Sequence, residues 1–454
     1  MKLLYRIIIA VVFVIGFSPI ESRIASANFN ESEILTDSEN LSLGKILASD
    51  VINKLDSLID NFSSRYRFSG NVLVAYAGNE IYTKSVGYAD PIKKEPVKAG
   101  TIFQLASVSK QFTAAAIMLL KSDGRLDFED PLVKYIPELP YANVSINHLL
   151  HHISGMPNYM YLIDKYWNNS EAPDNEDVID LMAKYKLPLF FAPGSRYDYS
   201  NTGYVMLATV VQRITGLTLN EFLQRRVFRP LDMRSTFVYS TSDSTVSRMQ
   251  VDGFRALRRG YSRIIDSPHD GVVGDKGVCS TTEDMLKWDN ALYKNSPINQ
   301  DLLQMAFSPC TTTTGREVPY GFGFRIKDYN GCKVIYHNGI WEGARINFHR
   351  FVDQGNTVIV MNNTSISSNH ELVRLIENTI NDEVNLSVTT KITKLVIDEG
   401  LQSALDYYYE LQETDPYNHP DIRKLMQAAE YMSSIGKDKK AEDIRELCKS
   451  MVSI

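Results

Sequence analysis

Four cysteines in 454 residues, none of them in a C-x-x-C pair, leave the chain without a redox motif or zinc-ribbon spacing. There is no long basic run, and the net charge is only -6, which argues against a nucleic-acid partner. No G-x-S-x-G occurs, so a strand-to-helix nucleophile elbow is unsupported, and no H-E-x-x-H completes a zinc helix. The N-terminal apolar run, Ile7 to Phe17, holds about eleven residues where roughly twenty are needed to span a bilayer.

What is present is ordinary globular composition, 44% hydrophobic and 22% charged, in a chain long enough for one large domain and an appendix. Lys2 and Arg6, the apolar run after them and Ala25-Ser26-Ala27 read as a secretory signal over residues 1–27, with an uncleaved anchor as the alternative. The expectation is an exported protein, periplasmic or secreted, beginning near Asn28. Export makes Cys279, Cys310, Cys332 and Cys448 candidates for disulfides with three full pairings open; free buried thiols are the other reading.

Residues 28–45 are polar and read as a flexible lead-in; a helix is expected from Ile46, carried by Val51, Leu55, Leu58, Ile59 and Phe62. Two alternating runs about Gly78-Asn79 predict a hairpin, and runs from Tyr320, Lys333, Ala344 and Thr357 predict a late meander of strands closed by a helix over Glu371 to Ile380. Between these halves lies a turn-rich helical stretch. The expected architecture is α+β: an antiparallel sheet flanked by helices, with an inserted helical subdomain, over residues 46–384. Residues 385–454 read as short helices in one or two hairpins, Ile422 to Met451 resembling one tetratricopeptide-type unit; one unit cannot bury its own face, so this segment is expected to dock on the enzyme domain or on a protein partner.

Ser107-Val-Ser-Lys110 stands where an apolar run ends and the helix-like stretch from Gln111 to Leu120 begins. Residues three apart on a helix are neighbours, so the Lys110 amine reaches the Ser107 hydroxyl. The partial positive charge of the helix start favours the neutral, basic amine and an oxyanion nearby. The tetrapeptide alone is weak, since S-x-x-K recurs at Ser42 and Ser434, but there Gly44 and Gly436 interrupt the pattern. A serine–lysine nucleophile needs a proton relay and a polar pocket. Tyr199 and Asn201, on a loop before a helix, offer a phenol and an amide. His337-Asn338-Gly339 ends a strand, where Gly339 permits close approach to the backbone.

With these motifs, and with Phe103 to Lys110, His148 to Pro157, Ser280 to Trp288 and Tyr320-Gly-Phe-Gly-Phe324, the chain resembles the serine β-lactamase and penicillin-binding protein family, in its class C, D,D-peptidase and esterase branch. The resemblance covers roughly residues 50–380. It implies Ser107 as the acylated nucleophile, Lys110 and Tyr199 as the acid/base pair, Asn201 as a contact to the substrate amide, and the backbone NH groups of Ser107 and Ile340 as the oxyanion hole. It implies a small-molecule or peptide substrate (a β-lactam, a D-Ala-D-Ala-type peptide or an ester) and no cofactor. One departure stands out. His337 replaces the lysine common in penicillinases, so an imidazole at its ordinary pKa of about 6.5 would offer a hydrogen bond more than a charge. Poor activity on anionic β-lactams is then expected, with Arg316 or Arg345 as the next candidates for a carboxylate's partner. A sensor that acylates and stalls, or a non-turnover envelope-binding protein, is the alternative. His148, His151 and His152 share a helix face, but no carboxylates complete a metal site, and a buried or capping role is the plainer expectation.

Overall fold

The structure, a computed structural model, describes residues 37–76, 78–293, 297–329, 332–353, 355–366, 369–384, 388–414, 419–434 and 437–452. The signal segment 1–27 and the first part of the lead-in lie outside these. Residues 1–48 and 49–454 separate as two units; of the first, only the start of a helix is described. That helix, α1 (Asp37–Tyr66), begins nine residues before the expected Ile46, which corrects the lead-in over 37–45. Once a helical turn is nucleated, each added residue gains a hydrogen bond, and polar composition does not stop it.

Six antiparallel strands make the main sheet: β1 (Gly70–Tyr76), β2 (Asn79–Val86), β3 (Arg325–Tyr329), β4 (Cys332–Trp341), β5 (Ala344–Phe351) and β6 (Asn356–Asn362). Their order is β3-β4-β5-β6-β1-β2, so the late meander joins the early hairpin where β1 pairs with β6, Gly70 opposite Asn362. Strand period two divides the side chains between two cores. Val72, Val74, Val358 and Val360 face Leu55, Ile59, Leu372 and Ile376, from α1 and the closing helix α6 (Asn369–Val384). Leu73, Ala75, Ile359 and Met361 face the larger core shared with the inserted helices.

At the centre of that core is α2 (Lys110–Ser122), buried on every side from Lys110 to Leu120. The run Ala114-Ala-Ala116 suits it: alanine has high helix propensity and no bulk to keep neighbours away. The helix stops as expected, Gly124 adopting a φ of +67°. Around it pack α3 (Ile146–Leu150), α4 (Asn201–Thr215) and α5 (Thr282–Ala291). The α+β architecture with an inserted helical part is thus the one observed.

Four helices, α7 (Val388–Asp398), α8 (Leu401–Thr414), α9 (Ile422–Ser434) and α10 (Asp438–Val452), bury Ile392, Ala404, Leu425, Ala429, Ile444 and Leu447 against one another. Two helical hairpins supply the second face that one lacks, so this segment has a core of its own. No disulfide joins Cys279, Cys310, Cys332 or Cys448, so the disulfide reading is not met.

Candidate active site

Ser107 lies in a single 3₁₀ turn, Ala106–Ser109, that runs directly into α2. Ala106, just before it, is held at a φ of +50°, a strained conformation for a residue with a Cβ. Two glycines press on this turn. A Cβ on Gly339 would fall 2.3 Å from the Leu105 carbonyl oxygen, and one on Gly323 2.7 Å from that of Lys110. The Gly339 of the sequence motif is there because β4 and the Ser107 turn touch backbone to backbone.

Lys110 is fully buried. Its Nζ lies 3.2 Å from Ser107 Oγ, 2.8 Å from Asn201 Oδ1 and 2.8 Å from the main-chain oxygen of Asp275. Burial pushes its pKa down to about 7; Asp275 opposes this and the Arg325 cation adds to it. The lowering comes chiefly from desolvation, where the sequence had suggested the helix dipole. Asn201 Oδ1 and the Asp275 carbonyl only accept hydrogen bonds. A neutral amine therefore spends its two hydrogens on these and turns its lone pair to the Ser107 hydroxyl.

Tyr199 closes the other side, its ring centroid 5.0 Å from Lys110 Nζ. Its buried hydroxyl makes no hydrogen bond of normal geometry, although nearby Ser107 favours the phenolate slightly against the larger effect of burial, which raises the pKa. The loop carrying Tyr199 is clamped by His152. The His152 carbonyl accepts from Asp198 N at 2.9 Å, its Nδ1 accepts from Ser200 N at 3.1 Å, and its ring lies 4.3 Å from that of Tyr199. His148 instead completes the N-terminal cap of α3 with Ser145, and His151 Nδ1 donates to the Tyr320 carbonyl at 2.8 Å. The three histidines of one helix face thus have three separate structural tasks.

His337 departs from expectation. It is buried, Nε2 lying 3.0 Å from Tyr320 Oη and Nδ1 2.8 Å from its neighbour's carbonyl, Asn338 O. Burial, with Lys110 and Arg325 nearby, holds its pKa well below the ordinary imidazole value. Both nitrogens are occupied within the protein. Gly339 and Ile340 follow on a stretch of β4 that pairs with β5 but, beyond Tyr336, not with β3; the nucleophile turn packs against this stretch. Ile340 is 59% exposed, as a residue lining an open cleft would be.

Arg325 was missed in the sequence. Its guanidinium carbon stands 5.0 Å from the Tyr199 ring centroid and 5.8 Å from that of Tyr320, and no carboxylate pairs with it among the described residues. Arg316 is exposed on a small hairpin and Arg345 donates to the Ala344 carbonyl. The signal for Arg325 lay in the run Tyr320-Gly-Phe-Gly-Phe-Arg, whose glycines mark a bend that swings the next residue inward. Asp275 was missed as well, since it acts through its main chain and no side-chain pattern announces that. A cavity of about 220 Å³ adjoins Tyr199 and Asn201, lined also by Met156, Phe190, Phe191 and Asp198.

Residues 55–378 match the family described as Beta-lactamase. The chain is 32% identical over 329 residues to penicillin-binding protein 4* of Bacillus subtilis (strain 168), covering 70% of this chain and 73% of that protein. It is 24% identical to the D-aminopeptidase of Brucella canis, covering 68% of this chain but only 59% of that protein. Among solved structures, a penicillin-binding protein from Bacillus halodurans aligns at 26% identity with a TM-score of 0.61, over 71% of this chain and 98% of that one. D-amino acid amidase from Ochrobactrum anthropi SV3 aligns at 24% identity with a TM-score of 0.64, over 74% and 99% of the two chains. The chain belongs to the beta-lactamase family. It is a serine hydrolase of that family, acting on amides or esters.

Proposed function

We propose that the chain is an exported hydrolase that forms an acyl-enzyme at Ser107 on small amides or peptides carrying a free carboxylate. The observation that carries this reading is the three-way contact of Lys110 Nζ, which leaves a neutral amine's lone pair to the Ser107 hydroxyl. Lys110 takes the hydroxyl proton as Oγ attacks the carbonyl carbon. The oxyanion is held by the backbone NH groups of Ser107 and Ile340, and Asn201 contacts the substrate's amide. The proton passes by way of Tyr199 to the leaving nitrogen as the C–N bond breaks. Water then enters, loses a proton to the same pair and releases the acid.

Arg325 supports the carboxylate. A guanidinium with no acidic partner among the described residues, laid on Tyr199, is suited to a carboxylate on the leaving-group side of the scissile bond. Relatives named as a D-aminopeptidase and a D-amino acid amidase support an aminoacyl group as the acyl portion. Export rests on the Lys2 to Ala27 signal pattern.

The test is mass spectrometry of Ser107 after exposure to a fluorophosphonate, beside hydrolysis of an activated ester and of D-amino acid amides and dipeptides. Labelling at Ser107 and loss of hydrolysis in Ser107→Ala are expected. Undiminished hydrolysis by Ser107→Ala would sink the mechanism; a persistent adduct with a β-lactam, without turnover, would favour a sensor that acylates and stalls.

A further inference from the structure

Behind Lys110 lies a second buried lysine that the proposed chemistry does not use. Lys276 is 3% exposed and Asp275 2% exposed, in a loop before the strand Val278–Ser280. Lys276 Nζ donates to Tyr159 Oη at 3.0 Å and to the Val272 carbonyl at 3.0 Å, and lies 3.5 Å from Asp275 Oδ1. Tyr159 Oη in turn donates to Asp275 Oδ2 at 3.1 Å. The Trp341 ring centroid is 4.8 Å from the ammonium, and Trp341 Nε1 donates to Asp270. The loop is pinned to the nucleophile helix at both ends: Thr113 Oγ1 donates to the Gly274 carbonyl at 2.7 Å, and Ser109 Oγ accepts from Val278 N at 3.0 Å. Asp275 thus turns its main-chain oxygen to Lys110 and its carboxylate to Lys276.

One carboxylate between two buried lysines has a consequence for charge. When Lys110 is neutral, Asp275 and Lys276 make a compensated pair; when Lys110 is protonated, the cluster carries a net positive charge in a desolvated place. We propose that Lys276 is a positioning residue for the general base: by occupying the Asp275 carboxylate together with Tyr159, it keeps that charge from holding Lys110 in its ammonium form. The inference rests on Lys110 being the base at Ser107. The groups facing Lys110 are Ser107 on its own turn, Asn201 and Tyr204 of α4, Tyr199 and His152, Arg325 of β3 and His337 of β4. Asp275 is the anion among the groups acting on Lys110, and it raises the lysine's pKa. Burial lowers the proton affinity of Lys276 as well, and the Lys110 charge adds to that lowering.

The test is the pH dependence of Ser107 labelling by a fluorophosphonate, followed by mass spectrometry in the full chain, which needs no turnover. Lys276→Met should move the acid limb up by about one pH unit, so that labelling at pH 6.5 falls roughly tenfold while the alkaline plateau stays within about threefold. Lys276→Arg should keep the limb in place, and Asp275→Asn should move it down. Should Lys276→Met fail to fold, Asp275→Asn/Lys276→Met carries no stranded buried charge; its limb should lie at or below the wild-type position, and a limb moved upward would overturn the proposal. So would a Lys276→Met variant that loses labelling equally at all pH, or one with an unmoved limb. No labelling of wild-type Ser107 at any pH would instead defeat the functional reading on which the inference stands.

Discussion

Arg325 and His337 stand in surroundings other than their residue types suggest. Histidine expected at the end of a strand reads as the group that meets substrate, yet it lies within β4, which runs on to Trp341, and its two nitrogens are spent on Tyr320 and on the backbone of Asn338, whereas the arginine on the neighbouring strand has no acidic partner among the described residues. Arg325→Ala is therefore expected to lower kcat/KM for a carboxylate-bearing amide by about tenfold to a hundredfold, one charge-assisted hydrogen bond being worth roughly 1.5–3 kcal/mol. A neutral activated ester should change by less than about threefold, and the loss should shrink in high salt as the charge is screened. Equal losses on both substrates would place the carboxylate elsewhere. Lys110 allows a test by linkage. Its pKa is about 7 in the fold and about 10.4 in the unfolded chain. Between these values the unfolded state binds the extra proton, so this site's contribution to stability rises with pH across that window and its penalty is fullest below pH 7. Lys110→Met should accordingly raise Tm over wild type more at pH 6 than at pH 10 while abolishing Ser107 labelling. A Tm difference independent of pH would show that Lys110 is not the group so perturbed.

At the scale of elements, the sheet is joined to α5 by a buried ion pair. Asp289 on α5 and Arg350 on β5 are each 1% exposed; Asp289 accepts from Arg350 Nε and from Thr357 Oγ1, while the guanidinium lies over the Tyr293 and Phe307 rings. Removing one partner strands the other charge in a dry place. Asp289→Ala is expected to cost about 3–5 kcal/mol in urea unfolding, and Asp289→Leu/Arg350→Met distinctly less. Equal costs would mean that packing, not the uncompensated charge, is what matters there. The sheet and the helix stops were legible in advance, because strand alternation and Asp123-Gly124 are local signals. The junction was not: an aspartate in a helix and an arginine in a strand, sixty-one residues apart, look like solvated charges until the chain is folded.

Considered as a whole, the molecule keeps its hydrolytic and C-terminal parts on separate cores. Among the described residues, those packed about the sheet and α2 include none from α7 to α10, and the core of those four helices includes none from the sheet. A chain ending at Val384 is expected to fold and to label at Ser107 within about threefold of the full chain, as followed by thermal melting and mass spectrometry. Loss of labelling or of a cooperative melt would show that the C-terminal helices complete the hydrolase. The sequence allowed one or two helical hairpins in this segment, and Val388–Asp398 with Leu401–Thr414 form the second.

Ser107 and Lys110 could be paired from sequence because three residues on a helix are one turn, and the strand order could be approached because alternation reports which face is buried. The order of Ser107, Tyr199 and His337 along the chain likewise sufficed to suggest the family. What only the tertiary structure decided are the environments: how dry Lys110 is, that its third contact is the carbonyl of Asp275, that His152 holds the Tyr199 loop, and that Lys276 stands against the far side of Asp275. Proton affinity and hydrogen-bond partnership depend on everything within a few ångströms of a group. The Asp275 carbonyl that meets Lys110 and the Val278 amide that meets Ser109 come from a segment more than a hundred residues along the chain, which no local pattern records.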